Sequence, residues 1–216
     1  MRQAMVMKKY ALISVYDKTD IAEFSKELVN MNWSILSSGG TAKGLFDANI
    51  PVKDITDLVG PPILGHRVVT LSRELHAGLL ADMSNPEQMK EMEKLGLPII
   101  NMVVCDFYPL KEAIGKPGAT VQSVIEMTDI GGPAMVRSAA KGGRIVICRF
   151  EDRQTILDEL KLNGNIDPIT RRKMRARAEF EVAKYCLASA KFHSGGALDE
   201  YQIINEDLVS KTPQEK

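Results

Sequence analysis

The sequence predicts an α/β domain: a parallel sheet covered by helices in three layers, with a long helix added at the C-terminal side. Three observations predict it. Short β-prone runs alternate with stretches of helical period up to Gly164. The run "PIINMVVCDFY" is continuously apolar, as a strand buried on both faces must be. From Asp167 onward no strand signal recurs. Strand–helix alternation of this kind builds a parallel sheet by crossover connections.

The elements follow in order. "KYALISVY" (9–16) reads as a strand, and "TDIAEFSKELVNM" as a helix with Ile21, Phe24, Leu28 and Met31 at helical spacing behind the capping candidates Thr19 and Asp20. "WSILS" is a second strand, followed by a glycine turn and the helix "TAKGLFDAN". "VKDI" is a short strand, and a polar helix spans about Asn85 to Leu95. After the central strand come "TVQSVIEMT", then a short apolar helix in "TDIGGPAMVRSAAKGG", the strand "RIVIC", and the helix "EDRQTILDELKLN" ended by Gly164. In the short helix Pro133 suits the first helical position, and Gly142 can supply the left-handed residue that stops it. About nine residues at 1.5 Å each put Asp129 and Lys141 roughly 13 Å apart, a span suited to flanking a small molecule. The final helix covers 167–192, with Ala176, Phe180, Ala183, Leu187 and Ala190 as its packing stripe. Residues 8–196 then form one domain, and 197–216 a polar tail.

Composition limits the function. With 28 basic and 28 acidic residues, the chain has no net charge to suit a nucleic-acid groove or a membrane surface. The basic run "RRKMRAR" has no interleaved aromatics and reads as a solvated face. Cys105, Cys148 and Cys186 are far apart, without metal-finger spacing, and read as reduced core thiols. No apolar run reaches the roughly 18 residues of a membrane span, and the N-terminus lacks signal-peptide character. The expectation is a cytoplasmic protein.

Four stretches converge on the carboxyl edge of such a sheet, where open parallel sheets hold ligands. Lys18 follows the first strand in "SVYDKTD". "SSGGT" turns into a helix, so the amides of Gly39, Gly40 and Thr41, with the hydroxyls of Ser38 and Thr41, suit an anion. The spacing matches neither a Walker loop nor GxGxxG. "CDFYPL" brings Asp106 and Tyr108, and "TDIGG" brings Asp129. Lysines and amides suit a phosphate monoester, while Asp129, Tyr108 and Lys141 suit proton transfer at a polar reacting group. The two histidines of "HRVVTLSRELH" are ten residues apart without carboxylate company, so His76 reads as a packed histidine rather than a metal ligand.

"SVYDKTD", "SSGGTAKGL", "RVVTLSRELHAGLL", "VVCDFYPL", "TDIGGPAMVRSAAKGG" and the "RR…F…Y" helix together resemble the IMP cyclohydrolase domain, a member of the methylglyoxal-synthase-like fold. The resemblance covers about residues 8–196. In that family the domain is the N-terminal half of a bifunctional enzyme whose AICAR transformylase half has no counterpart here. The resemblance implies closure of the purine ring of 5-formamidoimidazole-4-carboxamide ribotide to IMP, with loss of water and with no cofactor or metal. Carried over by motif, Lys18, Ser38, Gly39, Gly40, Thr41 and Thr70 would hold phosphate and ribose, and Arg67 would bind the substrate. Asp106, Ile130, Gly131 and Gly132 would meet the base, and Tyr108, Asp129 and Lys141 would be catalytic. A homodimer and a separate AICAR transformylase as partner are implied in the same way.

The chain departs from the family pattern at five positions. Val69 stands where the family has a lysine, Ser72 and Arg73 replace a histidine–proline pair, Tyr16 replaces a serine, and Asp106 an asparagine. Two alternatives stay beside the cyclohydrolase: a catalytically weak purine-nucleotide-binding protein, and a methylglyoxal-synthase-like lyase acting on a small phosphate.

Overall fold

The structure, a computed structural model, describes residues 8–195. β1 (Lys9–Ser14) is followed by α1 (Ile21–Asn30), β2 (Trp33–Ser37), α2 (Gly39–Asp47), β3 (Val52–Asp54) and the single turn α3 (Thr56–Val59). Next come α4 (Arg73–Leu80), α5 (Pro86–Lys94), β4 (Ile100–Cys105), α6 (Leu110–Gly115) and α7 (Val121–Glu126). The chain continues through α8 (Gly131–Lys141), β5 (Ile145–Ile147), α9 (Asp152–Asn163) and α10 (Pro168–His193). The strands lie in the order β3-β2-β1-β4-β5 and every ladder is parallel. The order reverses between β1 and β4, which opens a crevice at their carboxyl ends.

The sequence suggested one domain across 8–196, and the described residues group into two compact units. The first holds residues 8–108 and 129–182, with the whole sheet. Alternate strand residues face opposite ways and feed two cores. Ala11 and Ile13 join Phe24 and Leu28 of α1 with Ile156 and Leu160 of α9. Leu12 joins Leu75 and Leu79 of α4 with Met135 and Val136 of α8. Arg144, 4% exposed, closes the end of α4 by donating to the carbonyls of Leu79 (2.8 Å) and Ala81 (2.5 Å).

The second unit holds residues 109–128 and 183–195. Thr120 and Ser123 form a reciprocal capping box that starts α7. The Tyr185 hydroxyl donates to the Met127 carbonyl at 3.4 Å. Ile114, Leu187 and Phe192, rimmed by Lys111, Lys184 and Lys191, line a pocket of about 370 Å³. The C-terminal tail, 197–216, lies outside the described residues.

Several expectations are corrected. The buried row of α10 is Met174, Ala178 and Val182, whereas Ala176, Phe180, Ala183, Leu187 and Ala190 are exposed. At 100° per residue, Ala176 stands about 200° around the helix from Ala178, so choosing the wrong apolar row inverts the face. α8 starts at Gly131, ahead of Pro133, and Gly142 has φ −74°, so it is not left-handed; Gly143, at φ 72°, is. Gly142 is needed for a different reason: a Cβ there would collide with the Leu79 carbonyl. Neither Thr19 nor Asp20 caps α1; the Asp17 carboxylate instead receives the Thr19 amide and hydroxyl. Cys186 is exposed rather than a core thiol. The basic run is partly structural, since Arg171 donates to the Gly143 carbonyl and Arg177 pairs with Asp152.

Candidate functional site

The loop leaving β1 and the start of α2 are tied together by Thr41. Its buried hydroxyl accepts from the Val15 amide (3.2 Å) and donates to the Val15 carbonyl (3.0 Å). That hydroxyl is therefore occupied by the fold, and what Thr41 can offer an anion is its backbone amide. Ser38 heads α2 in extended conformation without capping it by its side chain. Lys18 lies over this helix start: a Cβ on Gly40 would be 3.7 Å from its Cε and 3.9 Å from its Nζ. The Lys18 ammonium donates to the Tyr16 carbonyl at 3.3 Å. A cation held against the positive end of a nine-residue helix is unfavourable by itself and favourable once an anion joins both.

The exit of β4 meets the same loop. The Asp106 carboxylate accepts from the Tyr16 amide and, at 3.0 Å, from the Asp17 amide. Burial pushes its pKa up, against the pull of these two amides and of the Arg153 charge. The half-exposed rings of Tyr16 and Tyr108 meet edge to face, 5.9 Å between centroids.

At the start of α8, Asp129 accepts from the Gly132 amide at 2.9 Å. Burial is the main influence raising the Asp129 pKa; the Gly132 and Tyr108 amides oppose it and the Asp106 charge adds to it. Both glycines are required by close approach. A Cβ on Gly131 would come within 2.5 Å of the Thr70 hydroxyl, and one on Gly132 within 2.5 Å of the Asp129 carboxylate. Thr70 is buried, while Ile130 and Arg67 are exposed.

Lys18, Ser38, Gly39, Gly40, Thr41, Asp106, Tyr108, Asp129, Gly131 and Gly132 thus cluster at the ends of β1, β2 and β4, with Thr70 against Gly131. Lys141 does not join them. It is exposed at the opposite end of α8, just ahead of β5, with eleven residues or about 16 Å of helix between it and the Asp129 end. Val69 packs, partly buried, against the α4–α8 core. Ser72 caps α4 by accepting from the Leu75 amide, and Arg73 pairs with Glu74 at the surface. His76 is a packed histidine: its Nδ1 is 2.8 Å from the Ser138 hydroxyl, and burial lowers its pKa. No cluster of three or more metal-ligating side chains occurs among the described residues, and no described helix is long and apolar enough to cross a membrane.

Sequence reasoning missed Arg153. Only 7% exposed, it donates from Nη1 to the Thr19 carbonyl at 2.6 Å. In sequence it is one more arginine in a polar helix, and the bond crosses 134 positions that no local pattern connects.

A family model described as "MGS-like domain" matches residues 20–134. That span includes the SSGGT turn, Asp106, Tyr108 and the start of α8, and leaves out Lys18 and Lys141. The "Bifunctional purine biosynthesis protein PurH" of Persephonella marina is 43% identical over 182 residues, 83% of this chain. The chain spans only 35% of that relative's length. Among solved structures, the crystal structure of ForH matches with a TM-score of 0.76 at 27% identity, covering 88% of this chain and 98% of that one. With a family model covering more than half its length and a parallel sheet of matching fold, the chain belongs to the MGS-like domain family.

Proposed function

We propose that this chain is an IMP cyclohydrolase of purine biosynthesis. The observation that carries the reading is the convergence, at one sheet edge, of an ammonium over an open helix start with a carboxylate of raised pKa at the head of α8. The likeness to a purine biosynthesis protein supports it. In this reading the 5-phosphate of the formamido ribotide sits between Lys18 and the amides of Gly39, Gly40 and Thr41, with Arg67 and Thr70 toward phosphate and ribose. Asp106, Ile130, Gly131 and Gly132 border the base.

The carboxamide nitrogen attacks the formyl carbon, a C–N bond forms, and the formyl oxygen leaves as water after two proton transfers. Asp129 takes one proton from the attacking nitrogen and Tyr108 donates to the formyl oxygen as its charge develops. On dehydration Asp129 passes its proton to the departing hydroxyl, which leaves as water, and the formamido N–H proton restores Tyr108. No bimolecular encounter is needed, so holding the two arms of the substrate in attack geometry supplies much of the rate. No cofactor or metal enters this scheme. Lys141, at the far end of α8, has a direct part only if a second copy of the chain brings it to the site, as a homodimer could.

A second reading is favoured by Val69. A partly buried apolar side chain, packed against the core, replaces the lysine that the family resemblance expects, which suits a purine-nucleotide binder with little turnover, serving a separate transformylase. Calorimetric binding of IMP together with absorbance-monitored IMP formation separates the two. Binding with turnover supports the enzyme; binding with a rate equal to buffer supports the binder and overturns the cyclohydrolase.

A further inference from the structure

We propose that Arg153 is a positioning residue for the anion site: it tethers the loop 15–20 so that Lys18 is held over the start of α2. The inference rests on the phosphate role given to Lys18 above. The loop has three polar anchors. Thr41 holds both backbone groups of Val15, Asp106 holds the amides of Tyr16 and Asp17, and Arg153 holds the Thr19 carbonyl. Lys18 lies between the second and third anchors. Removing the third leaves the side of Lys18 toward α1 held by the local Asp17–Thr19 bonds and by the bond from the Ile21 amide to the Lys18 carbonyl.

Packing does not replace the anchor. The core holds the loop only at its ends, Val15 and Ile21, while residues 16–20 are exposed, and Val15, Asp17, Asp106 and Arg153 line a cavity of about 130 Å³ beside it. Burial lowers the Arg153 pKa, against the charges of Asp106, Asp17 and Asp20, and the guanidinium lies 5.2 Å from the centroid of the Phe150 ring. Its Nε, also buried, meets no acceptor among the described residues. A buried N–H without an acceptor destabilises the fold, so stability alone does not account for an arginine here. What the side chain does accomplish is a bond to the loop that carries Lys18.

The test uses ribose 5-phosphate, a phosphate monoester without a base, titrated by calorimetry into the full chain. Lys18→Ala is expected to weaken binding tenfold or more and Arg153→Met five- to tenfold. The double variant should be no weaker than Lys18→Ala, because the two act through one contact. Arg153→Lys, which keeps a charge and donors, should bind within about twofold of the parent. Hydrogen exchange at the amides of residues 16–20 should quicken in Arg153→Met and not in Arg153→Lys, whether or not a ligand binds. Should Arg153→Met fail to fold, Arg153→Gln takes its place in every comparison. Unchanged exchange, unchanged binding in Arg153→Met, or additive losses in the double variant overturn the tether while leaving the Lys18 reading intact. A parent that does not bind the probe, or an ineffective Lys18→Ala, overturns the phosphate reading itself, and exchange then judges the tether alone.

Discussion

Asp129 and Lys18 are the residues whose chemistry is most exposed to experiment. Burial raises the folded-state pKa of Asp129 above its unfolded value. Its linkage contribution to stability is therefore fully present below the unfolded value and is lost as pH rises through the folded one. The melting temperature of the parent relative to Asp129→Asn should accordingly improve as pH is lowered from neutral through the carboxylate range; a gap independent of pH would contradict the shift. As the proton acceptor in ring closure, Asp129 should also set an acid limb in kcat/KM with a midpoint above the usual carboxylate range, absent from Asp129→Asn. Lys18, as a ground-state phosphate contact, behaves differently: Lys18→Ala should raise KM more than it lowers kcat in steady-state kinetics. The residues of this cluster were legible because their types and their places after strands are local facts. Three things were not. Thr41 looked like a hydroxyl donor, but its hydroxyl is bound to Val15. Arg153 acts across the fold, and Lys141 shares a motif with Asp129 while sitting a full helix away.

At the scale of elements, α4 and α8 are joined at the end of α8 opposite Asp129. Gly142 lets the end of α8 pass against the Leu79 carbonyl, and Arg144 satisfies the last carbonyls of α4. Gly142→Ala forces that joint apart and should cost about 1–3 kcal/mol in urea unfolding, the usual range for overpacking a tight contact. On α10, Met174→Ala should cost about 2–5 kcal/mol as a buried truncation, while Ala176→Lys should stay within about 0.5 kcal/mol. The reverse ranking would restore the stripe expected from sequence. α5 was legible as a polar helix and α9 by its stop at Gly164; helical period recovered α1, where Ile21, Phe24 and Leu28 form one buried row. It misjudged α10, where small apolar residues occur on both sides and periodicity cannot say which side meets the sheet. α4 is only eight residues long, and its Ser72 cap with Leu75 and Leu79 four apart is a faint signature. Strand ends were overextended because Val15 and Phe107 stay apolar past the last ladder partner, where loops rather than strands continue the core.

For the whole molecule, the alternation of elements announced a parallel sheet, and the reversal of strand order between β1 and β4 explains why separate motifs share one edge. The division into two units was not legible, since the second is assembled from segments more than fifty residues apart with no shift in composition at either boundary. The central claim is that this edge closes a purine ring and does more than bind a nucleotide. Steady-state IMP formation, followed by ultraviolet absorbance with the formamido ribotide and compared between the parent and Asp129→Asn, tests it most directly. The account predicts a parent rate far above buffer and a loss of about two to three powers of ten in the variant, the scale of removing a positioned proton acceptor or charge stabiliser. A parent no faster than buffer, or two proteins of equal rate, would contradict it.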